Sequence, residues 1–104
     1  MAPKKIRNVI QKFKQALRGA DFPSHRMVIY GSYARNEARA DSDIDICLIS
    51  DAFKRNKEKY RKEAVLVAFN VDPRIQVVLV DPHELKTNKL SPLWSHIRKE
   101  SIAA

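Results

Sequence analysis

The order of its apolar segments constrains this chain most: three short β-rich runs alternate with stretches of helical periodicity. Residues 26–30, Arg-Met-Val-Ile-Tyr, are apolar and rich in strand formers. Residues 43–49 begin with polar and apolar residues in alternation, Asp43-Ile44-Asp45-Ile46, and finish apolar. Residues 74–80 supply the third run. Before the first strand, Ile6, Val9, Ile10, Phe13 and Leu17 recur at helical spacing across residues 4–18, with lysines and arginines between them. Gly19 and Pro23 bracket the end of that helix. Residues 55–69 predict a second long helix with Tyr60, Ala64, Val67 and Ala68 inward. Ser91-Pro92 opens a last one carrying Leu93, Trp94 and Ile97, since proline suits a first helical turn. Ser32 is placed to cap a short helix over residues 32–38.

That order predicts an α/β (α+β) fold with a small mixed β-sheet and helices packed mainly on one face. The short link between the first two strands favours an antiparallel pair, and the helical crossover to the third favours a parallel one. A chain of 104 residues has room for about one small core, so residues 1–104 are expected to form a single domain. No apolar run approaches the roughly 20 residues that span a bilayer. The basic N-terminus leads into an amphipathic segment rather than a signal-peptide core. One cysteine, Cys47, excludes an internal disulfide and suits a cytoplasmic location. The net charge is +8, concentrated in residues 1–26, where Lys4, Lys5, Arg7, Lys12, Lys14, Arg18 and Arg26 face only Asp21. Those cations alternate with a core stripe and lack interleaved aromatics, so a solvated helix face is favoured over a nucleic-acid site.

The chemistry is concentrated between residues 31 and 45. Asp43 and Asp45, two apart on a strand, point to one face with Cα atoms roughly 6.5–7 Å apart. Such carboxylates repel and lose hydration unless a cation lies between them. Oxygen ligands without a nearby His or Cys favour Mg²⁺ or Mn²⁺ over zinc. Gly31 at a strand end lets backbone approach a phosphate, the Ser32 hydroxyl adds a donor, and Arg35 lies one turn on with a planar fork for phosphate oxygens. An anion cradle beside a metal pair is what phosphoryl transfer requires.

The stretch Gly31-Ser32-Tyr33-Ala34-Arg35 through Ser42-Asp43-Ile44-Asp45 resembles the signature of the DNA polymerase beta-like nucleotidyltransferase superfamily, in particular its minimal nucleotidyltransferases. The resemblance covers about residues 26–85. It implies a nucleotidyltransferase fold, Mg²⁺ on Asp43 and Asp45, and a nucleoside triphosphate held by Gly31 and Ser32. An acceptor hydroxyl would attack the α-phosphorus and release pyrophosphate, with ATP as the expected donor. The resemblance also implies a partner, since small members pair with a separate helical HEPN-type protein as antitoxin and toxin; a homo-oligomer is the other arrangement that could supply an acceptor.

Two departures stand out. Asn36 follows the motif arginine where many relatives carry glycine. More important, the family's third carboxylate position aligns with Gln76, whose amide is neutral and cannot act as a base. Asp72 shares its parity but lies four residues away, and Asp81 has the opposite parity. A catalytically weakened binding module is therefore the alternative reading. His25, His83 and His96 lack ligand spacing, Cys47 is expected to be a buried thiol, and Tyr30 a core residue. Tyr33 is expected either to line the nucleotide pocket or to face solvent, and Trp94 to anchor the core or an interface.

Overall fold

The computed structural model describes residues 4–39 and 41–104. Helix α1 (Lys4–Gly19) buries Ile6, Ile10, Phe13 and Leu17, the stripe its periodicity predicts. Strand β1 (Arg26–Tyr30) follows, then β2 (Ile44–Ile49), a 3₁₀ turn (Asp51–Lys54), α2 (Lys57–Val71) and β3 (Ile75–Val80). Two short helices, α3 (Pro82–Thr87) and α4 (Pro92–Glu100), precede a two-residue strand, β4 (Ile102–Ala103).

The sheet is mixed, in the order β3-β2-β1-β4. β1 pairs antiparallel with β2, and β2 pairs parallel with β3, as the connection lengths imply. β4 adds to the far side of β1, antiparallel. Strand parity then sorts the core into two layers. Met27, Ile29, Ile44, Ile46, Leu48, Ile75 and Leu79 face the long helices α1 and α2. Val28, Cys47, Ile49 and Val80 face the other way, onto Leu85 of α3 and Trp94 and Ile97 of α4. The two long helices thus share one face, and the two short ones cover part of the other.

One local element departs from the sequence expectation, and two caps add to it. Residues 32–38 form a hydrogen-bonded turn rather than a helix. The Arg35 amide donates to Gly31 O at 3.1 Å and the Glu37 amide to Ser32 O at 2.8 Å, but Asn36 at φ +59° ends the helical run. One turn offers too few hydrogen bonds to offset helix nucleation. Asp81 accepts from the Glu84 amide at 3.0 Å and caps α3, with Pro82 in its first turn. Ser50 likewise caps the 3₁₀ turn, accepting from Ala52 N at 3.1 Å while donating to Ser24 O at 2.7 Å, which ties the loop before β1 to the end of β2. Among the described residues no helix is long and apolar enough to cross a membrane.

Candidate active site

The signature residues meet at one end of the sheet, where β1 finishes and β2 and β3 begin. The register places Tyr30 of β1 opposite Asp45, and Gln76 of β3 opposite Asp45 on the other side. Directly paired residues share a face, so Tyr30, Asp45 and Gln76 form a row across the sheet. They share the face covered farther along by α3 and α4. Asp43 sits just before β2, exposed, and Asp45 is half-buried.

Gly31 leaves β1 at φ +74°, in left-handed space that glycine enters without penalty. A Cβ built there would run into the Asp45 carboxylate, with Cγ at 3.1 Å. A side chain there would force the Asp45 carboxylate to turn away and would strain the left-handed backbone, so two separate features favour glycine. The first amide of the turn to bond back to it is that of Arg35. The earlier amides therefore remain in a position to meet an anion, as at the start of a helix. Asn36 occupies a left-handed position, which asparagine tolerates better than most residues.

The electrostatics follow from this crowding. Burial, and then the neighbouring Asp43 charge, push the Asp45 carboxyl above the ordinary aspartate range, while Arg35 pulls it partly back. Removal from water and the Asp45 charge beside it push the Tyr30 hydroxyl up to about 12. Tyr30 packs against the α4-side core, as expected, but it also borders the carboxylate pair. Only the strand register reveals that second role.

Arg35 is engaged by two carboxylates. Its Nε donates to Glu37 Oε1 at 2.6 Å and its Nη1 to Glu100 Oε2 at 3.0 Å. The guanidinium thereby links the signature turn to the last turn of α4, where His96 also approaches Glu100 at 3.6 Å. Tyr33 neither lines a pocket nor faces solvent; it is 6% exposed in the α1–α2 core, its hydroxyl donating to Arg39 O at 3.3 Å. Tyr33 anchors the turn from behind. Trp94 is core, with its indole N–H on Glu84 Oε2 at 2.7 Å.

Among the described residues no third acid joins the pair. Asp72 is bound to Arg74 at 2.8 Å, and Asp81 is occupied at the α3 cap. Among the described residues no group of three or more His, Cys, Asp or Glu could hold a metal ion. The donor set still suits a hard divalent cation. Asp43 and Asp45 offer oxygen only, and the nearest thiol, Cys47, is buried and has its proton held to about 12 by loss of hydration.

A nucleotidyltransferase domain model matches residues 6–102. The chain belongs to this family. A Methanocaldococcus jannaschii protein named "Putative protein adenylyltransferase" is 28% identical over 100 residues, covering 89% of this chain and 67% of its own length. Among solved structures, a "putative nucleotidyltransferase" from Sulfolobus solfataricus superposes with a TM-score of 0.58 at 20% identity, over 99% of this chain and 87% of that one. A toxin-antitoxin structure with AMP-PNP also gives a TM-score of 0.58, at 24% identity, over 89% of this chain and 69% of that one. At these identities both structures speak for the fold. The nucleotidyltransferase fold expected from the signature is the one observed.

Proposed function

We propose that this domain transfers a nucleoside monophosphate from a nucleoside triphosphate, with ATP as the donor, onto a hydroxyl of a partner protein. One observation carries the reading: the left-handed Gly31 is pressed against Asp45, in register with Gln76, with Asp43 at the strand entrance. The names of the M. jannaschii relative and of the toxin-antitoxin structure with AMP-PNP support adenylyl transfer and a separate protein partner. A helical HEPN-type toxin is the partner that the resemblance of the signature suggests.

In this reading Gly31 and Ser32 seat the triphosphate against the free amides of the turn, and Asp43 and Asp45 hold Mg²⁺ or Mn²⁺. The cation would offset triphosphate charge and polarise the α-phosphoryl group. The acceptor oxygen forms a bond to the α-phosphorus, the bond to the bridging oxygen breaks, and pyrophosphate departs. Gln76 takes no proton, so the hydroxyl proton is left to the two aspartates or to water. Arg35 acts as a positioning residue, fixing the turn to α4 through Glu100.

Gln76 also supports a second reading, a domain that binds nucleotide and partner with little turnover. Incubation with labelled ATP, Mg²⁺ and the neighbouring-gene product tests both. Transfer by the wild type, lost in Asp43→Asn, is expected. No transfer by the wild type with a gain in Gln76→Glu would establish the weakened module. Failure to bind ATP with Mg²⁺ would sink both.

A further inference from the structure

Among the described residues, two surfaces without a partner lie side by side. The first is the outer edge of β3, which pairs with β2 on one side only. Ile44 N–H donates to Arg74 O and Ser50 N–H to Val80 O, so the even-numbered residues bond to β2 and the amides of Val77 and Leu79 point to the open edge. Exposed edges are usually guarded by lysine, proline or a bulge. The β3 sequence Ile-Gln-Val-Val-Leu-Val has no charge and no proline.

The second surface is on α2, which is apolar on two faces. Ala64 and Ala68 are buried, yet Val65, Leu66 and Phe69 are 41%, 65% and 63% exposed. Tyr60 lies on the flank toward α1, its ring 5.8 Å from that of Phe22. Val65 and Phe69 fall on the opposite flank of the helix, the side of the open β3 edge. Residues 64–71 of α2 carry no charge; the lysines and arginine lie in its first half.

We infer that the open β3 edge and the outer face of α2 form one self-association surface, on which a second copy of this chain docks across a two-fold axis. Antiparallel pairing of β3 with its copy is self-complementary and joins the two four-stranded sheets into one. The same rotation keeps corresponding faces on the same side, so the two α2 helices meet over Val65, Leu66 and Phe69. Their antiparallel order sets the cationic first half of each helix away from that of its copy. A chain of charge +8 resists self-association over most of its surface, but neither β3 nor residues 64–71 add to that repulsion. The three side chains offer roughly 300 Å². A stable dimer buries about 800 Å² per partner, so the strand edge must contribute as well.

Sedimentation of the full chain from low to high micromolar concentration tests this. A reversible dimer is expected, weakened at least tenfold by Leu66→Glu, whose exposed position leaves the fold intact by circular dichroism. Val77→Pro should do the same, because it removes an edge-facing amide and leaves the β2 pairing in place. Phe69→Cys should cross-link to itself under mild oxidation, and Lys12→Cys on the exposed side of α1 should not. Asp43→Asn should dimerise like the wild type, which separates this result from the fate of the transfer reading. A monomer at every concentration, or a dimer indifferent to Leu66→Glu and Val77→Pro, overturns the proposal. So does a monomer whose Leu66→Glu variant instead loses a different protein partner, since that would give the face to another chain.

Discussion

Asp45 and Cys47 stand two residues apart on one face of β2 and meet opposite conditions. Asp45 is half-buried at the rim beside an exposed Asp43 and a glycine turn packed against its carboxylate. Cys47 is fully buried under Val28, Val80 and Ile97. Both groups have their ionisation pushed up by lost hydration, but only Asp45 also faces a like charge. The rim concentrates repulsion that apolar packing alone does not relieve; the interior has none to relieve. Carboxylates whose charges are penalised at a strand end, on an otherwise well-packed strand, are a feature enriched at functional sites.

The sharpest way to break this contrast is Asp45→Asn. Label transfer should fall to background, by about a thousandfold or more, while the melting temperature rises by roughly 2–4 °C as the cost of burying the charge, and then its repulsion with Asp43, disappears. A lower melting temperature would mean that the carboxylate is structural. Next in size is Gly31→Ala, which places a methyl against Asp45 and strains a left-handed turn. Transfer should drop about a hundredfold, and denaturant melts should show a loss of about 1–2 kcal/mol. Undiminished transfer would show that the turn does not shape the site.

The interior responds in the reverse sense. Cys47→Ser buries a hydroxyl among apolar neighbours and should cost about 1–3 kcal/mol in chemical denaturation, with transfer by the folded fraction unchanged. The smallest effect concerns pH. Tyr30 ionises at about 12 when folded, against 10.0 ordinarily, so its contribution to stability is complete below pH 10 and is lost as pH rises toward 12. Phenolate absorbance should contain a late phase that Tyr30→Phe removes and that Asp45→Asn brings earlier. No movement of that titration would uncouple Tyr30 from the rim.

Much of this architecture is legible in the chain because its signals are local. The stripe of Ile6, Ile10, Phe13 and Leu17 needs only a 3.6-residue period, and β1 and β2 announce themselves by β-branched runs. The α3 helix is harder to read, since six residues carry too little periodicity and only the Asp81-Pro82 cap hints at it. The two residues of β4 have no sequence signal and exist through pairing with Val28 and Ile29. At the site, the spacing of Gly31, Ser32, Asp43 and Asp45 is local and readable. The commitments of Arg35 to Glu100 and of Tyr33 to the core depend on residues far away or on the opposite layer.

Composition and spacing alone therefore decide that this chain forms a mixed sheet with Asp43 and Asp45 at a strand entrance, and the resemblance of the signature is what marks Gln76 as the place of an expected acid. Those properties follow from backbone periodicity and residue chemistry, which need no knowledge of distant contacts. Tertiary pairing decides that Tyr30, Asp45 and Gln76 lie in one row, that Gly31 abuts the Asp45 carboxylate, and that β3 keeps an open edge beside the bare face of α2. Register and strand order set these, and a sequence specifies them only through the whole core that packs around them.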